Sequence, residues 1–194
     1  MELNYIMNYF TNDWNSDLSI LESILDQVEF YSGTERKQML KKANEKHVKN
    51  SGSMLYGTTW KSYLSPTKNR EKCEKTNLYK TKVFSENPEL EYVFKEFASL
   101  YFPEFQFTQV QMNKNFTTPP HYDSKNVGES VLICCGDYSG GKTCLNKDNK
   151  ILKFDARDKP VKFNGAEICH WVERYEGNRY SLVFFNSNYK KKLK

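Results

Sequence analysis

The sequence predicts an α+β protein in which helices precede an antiparallel β sandwich or barrel. Two observations carry that expectation. The first half holds two stretches with apolar residues at helical spacing. The half from about Phe105 onward is a succession of short β-prone runs separated by Gly, Asn or Asp, with no helical stretch between them.

The first helical stretch is Ser16–Phe30, "SDLSILESILDQVEF". Leu18, Ile20, Leu21, Ile24, Leu25 and Val28 form its apolar stripe, and Ser16 or Asp17 is its expected cap. A charged segment follows, "GTERKQMLKKANEKHVKN", expected to begin as helix. Its six Lys or Arg between Arg36 and Lys49 read as a solvated face, with phosphate contact as the alternative. Between Ser51 and Asn87 the pieces "SMLYGTTW", "KSYL" and "KTKVF" read as strands or extended segments. The second helix is expected to start at Asn87-Pro88, to bury Leu90, Val93, Phe94, Phe97, Leu100 and Tyr101, and to stop at Pro103. The β-prone runs are "EFQFTQVQMNKNF", "SVLICCGD", "KTCLN", "KILKFD", "PVKFN", "EICHWV" and "RYSLVFF", and "NKDNK" has the composition of a hairpin turn. The organisation expected is an N-terminal helical region, residues 1–50, packed on a β-rich domain of residues 51–194, the whole forming one structural unit.

Bulk composition narrows the functional classes. Aromatic residues make up 15% of the chain, enough bulky apolar material for a folded core, which excludes a disordered chain. A formal charge of +5 permits contact with a polyanion without demanding it. The five cysteines are odd in number and contain no C-x-x-C pair, so neither a disulfide framework nor a zinc knuckle is indicated. Reduced thiols, an N-terminus unlike a signal peptide and the absence of a long apolar run point to a soluble intracellular protein of cytoplasm or nucleus, monomeric and without an obligate protein partner.

The chemistry concentrates in three histidines, of which two lie in the β-rich half. In "TTPPHYDSKN", His121 and Asp123 alternate on an extended backbone, so both side chains can face one cavity. His170, in "ICHWV", follows after a gap that several antiparallel strands would fill. Two imidazoles and one carboxylate are the facial donor set of non-haem Fe(II) oxygenases. Nine residues after His170, Arg179 enters an apolar strand, with Ser181, Val183 and Phe185 on its face and Tyr180, Leu182 and Phe184 on the other. A buried arginine needs an anion. An internal Asp or Glu would serve, as would a dicarboxylate cosubstrate.

The series "PPHYDSKNVGES", "GDYSGG" and "CHWVERYEGNRYSLVFF" resembles the iron- and 2-oxoglutarate-dependent dioxygenase superfamily, and within it the TET and J-binding-protein branch of nucleic-acid 5-methylpyrimidine oxygenases. The resemblance runs from about Phe105 to Phe185 and implies a double-stranded β-helix, or jelly-roll, core. It implies His121, Asp123 and His170 as ligands of Fe(II), Arg179 and Ser181 as partners of 2-oxoglutarate, O2 as co-reactant and ascorbate as a candidate reductant. The substrate implied is the methyl group of 5-methylcytosine or thymine in nucleic acid, DNA before RNA, with Asn126 at the base-contacting position. Asn126 also suits a turn before Gly128.

On the strand leading into the site, Gln109, Gln111, Asn113 and Asn115 alternate with other residues and line either a polar pocket or an outer face. Asn113 is the candidate for the cosubstrate, and Asn115 for the substrate. Tyr138 either shapes the pocket or sits in a simple strand and turn with Gly140 and Gly141. Two other readings stay open: a prolyl-type protein hydroxylase with the same iron chemistry, and a catalytically silent nucleic-acid-binding module. The chain lacks the cysteine-rich zinc-binding region of animal TET proteins.

Overall fold

The computed structural model describes residues 9–33, 51–60 and 78–187. The basic run from Arg36 to Lys49, the "KSYL" segment and the terminal "KKKLK" lie outside the described residues.

Helix α1 spans Trp14–Asp26, and its cap is Asp13, whose carboxylate accepts from Ser16 N at 2.9 Å. The expected caps, Ser16 and Asp17, fall in the first turn instead. Asp17 has a different task. It is fully buried and accepts from Thr11 N, Thr11 Oγ1, Asn12 N and the Tyr101 hydroxyl, so it fixes the chain entering the helix. Leu18, Leu21 and Leu25 form the buried stripe.

Strand β1, Gly52–Trp60, pairs with β2, Leu78–Lys80. The next residues depart from the extended reading of "KTKVF": Lys82–Glu86 is a short helix, α2, capped by the Thr81 hydroxyl accepting from Phe84 N. A local cap outweighs the β preference of Val83 and Phe84, which pack inward from one helical turn. Helix α3, Leu90–Tyr101, follows Pro88 and ends before Pro103, burying Leu90, Val93, Phe94, Phe97 and Ala98. Leu100 and Tyr101, expected on that stripe, are half-buried.

The remaining strands are β3 (Gln109–Lys114), β4 (Ser130–Cys135), β5 (Tyr138–Gly140), β6 (Thr143–Lys147), β7 (Lys150–Phe154), β8 (Val161–Phe163), β9 (Cys169–Val172), β10 (Tyr175–Gly177) and β11 (Tyr180–Phe185). They form a six-stranded sheet in the order β2-β1-β3-β11-β4-β8, a three-stranded sheet β7-β6-β9, and a two-stranded ribbon β10-β5, all antiparallel. The "NKDNK" turn joins β6 to β7 with Asp148 and Asn149 both at positive φ, 51° and 59°, the backbone of a two-residue hairpin turn matched to strand twist.

Strand β11 sits between β3 and β4, and its two faces have separate fates. Tyr180, Leu182 and Phe184 pack into a core shared with α1 and α3, where Phe184 meets Phe94 edge-on at 5.8 Å and Phe102 at 5.0 Å. The opposite face, Ser181, Val183 and Phe185, lines a cavity. A second apolar cluster, built from Leu132, Cys134, Tyr138, Leu145, Ala156, Val161 and Phe163, lies between the six-stranded and three-stranded sheets. Cys134, Cys135 and Cys144 are buried packing residues, and the four described cysteines are unpaired. None of the described helices is long and apolar enough to cross a membrane.

Candidate functional site

The cavity, about 490 Å³, is bordered by the exposed side of β3 and β11, by β6 and β9 of the smaller sheet, and by the loop 118–126. That volume suits a small organic ligand.

Its metal-type donors come from two distant chain positions held together by backbone. His121 N donates to His170 O and His170 N donates to His121 O, both at 3.0 Å, forming an isolated antiparallel bridge. Asp123 N donates to Gly165 O at 2.8 Å, and a glycine suits position 165 because a Cβ there would meet Asp123 Oδ2 at 3.3 Å. One donor atom from each of His121, Asp123 and His170 then lies within 4.8 Å of the others. Nε2 of His170 is 3.5 Å from Asp123 Oδ2, and Nε2 of His121 is 3.8 Å from Asp123 Oδ1.

Tautomers follow from acceptor chemistry. His121 Nδ1 faces Pro119 O at 2.7 Å, and His170 Nδ1 faces Ile168 O at 2.9 Å. A carbonyl can only accept, so each Nδ1 carries a proton and Nε2 is the ring nitrogen left on the side of Asp123. Backbone carbonyls orient metal-binding imidazoles in this way. The trio presents two imidazole Nε2 atoms and one carboxylate, a donor set of the kind a divalent cation takes.

The cavity lining also carries a buried cation. Arg179 is 2% exposed, and among the described residues no carboxylate forms an ion pair with it. Its Nη2 contacts Cys134 Sγ at 3.1 Å, its guanidinium lies 5.5 Å from the ring centres of Tyr138 and Tyr175, and its Nε is buried without a partner. Gly141, at φ 67°, leaves the room it needs: a Cβ there would come within 3.2 Å of Arg179 Cδ and Nε. Thr143 Oγ1 is likewise buried and unpartnered. Beside them, Ser53 donates to Asn113 Oδ1 at 2.6 Å, and Asn113 Nδ2 donates to Ser181 Oγ at 3.2 Å. The Ser181 oxygen is therefore an acceptor toward Asn113, and its own proton is available to the cavity. A buried guanidinium with an orphan Nε–H and two hydroxyls on one cavity lining suit an anion, and a carboxylate is the natural complement.

The structure thus brings His121, Asp123, His170, Asn113, Asn126, Arg179 and Ser181 to one cavity. Two other expected site residues sit elsewhere. Asn115 is at φ 48°, which turns its side chain out of the β3 alternation; Oδ1 accepts from Arg179 N at 2.8 Å and Nδ2 donates to Asn178. Its contribution is to the backbone that carries Arg179. Tyr138 does not line the cavity: its ring lies under the Arg157 guanidinium at 3.9 Å, with the Arg179 guanidinium 5.5 Å from its centre. Thr143 and the half-buried Trp171 line the cavity although no sequence motif marks them, since a lone Thr or Trp in a β-prone run carries no spacing signal.

No protein-family model matches the chain, and no curated protein matches it. Among solved structures it is similar to NgTET1 in complex with 5mC DNA at 16% identity and a TM-score of 0.46, covering 80% of this chain and 66% of that one, just under two thirds of its length. It is similar to a Pseudomonas putida prolyl-4-hydroxylase at 10% identity and a TM-score of 0.47, covering 92% and 88% of the two chains. A third similar structure is a full-length Neurospora crassa protein in complex with alpha-KG, at 13% identity, a TM-score of 0.40, and 92% and 73% coverage.

Proposed function

We propose that this chain is an Fe(II)- and 2-oxoglutarate-dependent dioxygenase with a double-stranded β-helix core, acting on the methyl group of a 5-methylpyrimidine in nucleic acid. One observation carries the reading: donor atoms of two imidazoles and a carboxylate converge within 4.8 Å in the same cavity as a buried arginine that lacks a carboxylate partner among the described residues. A metal site alone would suit many hydrolases. A metal site with a buried cation behind it suits a cosubstrate that bridges the two.

His121, Asp123 and His170 would hold the Fe(II), while Arg179, Ser181 and Thr143 would hold the far carboxylate of 2-oxoglutarate. When bound, metal and cosubstrate supply the activation of O2 that oxidises a C–H bond. The chain's own groups bind and orient. Leu132, Val183 and Phe185 give the cavity apolar walls, which keep water from the reacting centre. Asn126 and Lys125 line the cavity, and Tyr122 beside them is 57% exposed, which offers an aromatic face to a substrate. An aromatic face and a cation together favour a nucleotide, and a methyl group at C5 of a paired base would have to leave the duplex to reach this depth.

The test is mass spectrometry of nucleosides from methylated oligonucleotides incubated with protein, Fe(II), 2-oxoglutarate and ascorbate. Oxidised 5-methylpyrimidine with stoichiometric succinate is the expected result. Succinate release driven by proline-rich peptides and by no oligonucleotide would transfer the activity to protein hydroxylation. Calorimetry showing binding of neither Fe(II) nor 2-oxoglutarate would leave a silent binding module.

A further inference from the structure

Two arginines share the ring of Tyr138, and their surroundings differ. Arg157 lies 3.9 Å from the ring centre and Arg179 5.5 Å. Every guanidinium nitrogen of Arg157 has a partner: Nε donates to Asp155 Oδ1 at 3.1 Å, Nη2 to Asp155 Oδ2 at 2.7 Å, and Nη1 to Tyr138 O at 2.8 Å. Its backbone N adds a third bond to the carboxylate, donating to Oδ1 at 3.1 Å. Arg179, the more deeply buried of the two, has a thiol for a partner and an Nε with none. The carboxylate that Arg157 holds is nevertheless a neighbour of Arg179. Ala156 O accepts from Cys134 N at 2.9 Å, so the segment 155–157 runs beside the residue whose Sγ touches Arg179 Nη2. The indole N–H of Trp14 donates to Arg157 O and fixes that segment from helix α1. Asp155 is held below the usual carboxylate range, chiefly by the bond from the Arg157 side chain, with burial opposing and the charge of Arg179 adding a smaller pull.

We propose that Arg157 is a positioning residue for anion binding in the cavity: its fork closes on both oxygens of Asp155, withholds that carboxylate from Arg179, and so leaves the buried cation for the ligand. The inference rests on the function proposed above and deepens it, since the ligand there is the far carboxylate of 2-oxoglutarate. One carboxylate stands near two cations, and three bonds tie it to the arginine that does not line the cavity. Two parallel N–H bonds to the two oxygens make that pairing a strong one. With Arg157 removed, Asp155 becomes a largely buried charge without its partner, a state costly enough to drive it toward another cation. The cation whose charge already acts on it is Arg179. A carboxylate of the chain itself would then occupy the donors that bind the ligand.

The experiment is anaerobic calorimetry of 2-oxoglutarate on the Fe(II)-loaded protein, comparing wild type with Arg157→Met, Asp155→Asn and the double variant. Arg157→Met keeps an unbranched chain against Tyr138 without the charge, and it should weaken 2-oxoglutarate roughly 10- to 100-fold, the range that one charge-assisted hydrogen bond spans. Asp155→Asn should leave the Kd near the wild-type value, because the carboxylate is already kept from Arg179. Adding it to Arg157→Met should restore the wild-type Kd. Fe(II) affinity should be the same in all four proteins. Arg157→Gln serves if the methionine variant does not fold, and its loss should be smaller and rescued in the same way. The asymmetry between the two single variants is the readout that other roles do not reproduce. If Arg157 acts only through net charge, Asp155→Asn tightens binding as much as Arg157→Met loosens it. If the pair only braces the fold, both single variants bind more weakly and the double variant recovers nothing. Either pattern overturns the proposal, as does wild-type affinity in Arg157→Met. A wild type that binds no 2-oxoglutarate in the presence of Fe(II) removes the proposed function itself, an outcome distinct from all of these.

Discussion

Replacing Arg179 with Met should move stability and ligand binding in opposite directions. The guanidinium is 2% exposed, has no carboxylate partner among the described residues, and keeps one Nε–H unsatisfied. Methionine fills much of the same space beside Cys134 and Tyr138 without a charge. Exchanging buried ionic groups for apolar ones stabilises by about 1 to 4 kcal/mol where it has an effect, so the ligand-free variant should melt several degrees above wild type. Binding should collapse. Two charge-assisted bonds from a guanidinium fork contribute about 1.5 to 3 kcal/mol each, which corresponds to roughly 10²- to 10⁴-fold in Kd for 2-oxoglutarate. Thermal unfolding with Fe(II) under anaerobic conditions reads both effects. At a ligand concentration about 100 times its Kd, wild type should gain about 2.7 kcal/mol, or roughly 5 to 10 °C, and the variant should gain almost nothing. A variant less stable than wild type without ligand, or one that keeps the 2-oxoglutarate shift, would refute the argument that this cation waits for an anion.

Further outcomes test other parts of the molecule. Ala at His121 or Asp123 should abolish Fe(II) binding in calorimetry while leaving the far-ultraviolet circular dichroism unchanged, because neither side chain belongs to an apolar cluster; His170, whose ring packs on Phe163 at 4.9 Å, should lose Fe(II) with some loss of stability as well. Thr143→Val removes a buried hydroxyl that has no partner, so ligand-free stability should stay within about 1 kcal/mol while 2-oxoglutarate binds several-fold more weakly. Phe94→Ala, at a fully buried ring packed edge-on against Tyr56 and Phe184, should cost about 3 to 5 kcal/mol in urea unfolding with wild-type metal affinity in the folded protein. Asp17→Asn should be destabilising at neutral pH. Burial opposes ionisation of this carboxyl, but bonds from Tyr101, Thr11 and Asn12 win and hold it below its usual 3.8. A lowered folded value gives stability that is present above pH 3.8 and is lost as pH falls through the folded pKa. The gap between the two proteins should close over that acid range.

The site is legible in the sequence where chemistry and period coincide. The alternation of Arg179, Ser181, Val183 and Phe185 against Tyr180, Leu182 and Phe184 follows from strand geometry alone, and the two rows do lie on opposite faces, one in the core and one in the cavity. The same rule fails at Asn115, since a single residue at positive φ ends the alternation and no side-chain pattern announces it. The cap of α1 lies ahead of the expected one because Ser16, Asp17 and Asp13 are all competent caps, and only the burial of Asp17 against Tyr101 assigns their roles. Thr143 is out of reach because its importance is an unmet hydrogen bond, which exists only once β6 is packed.

The reciprocal backbone bonds between residues 121 and 170 carry a practical consequence. Peptide groups, with no help from any cation, hold the two imidazoles at a ring separation of 4.2 Å. For nitrogen and oxygen donors the intrinsic order of divalent-ion affinity places copper, nickel and zinc above ferrous iron. Under the proposed function, supply during expression and purification would bear on which ion occupies the site. An inactive preparation should be stripped with a chelator and reloaded anaerobically before its silence is taken as a property of the polypeptide.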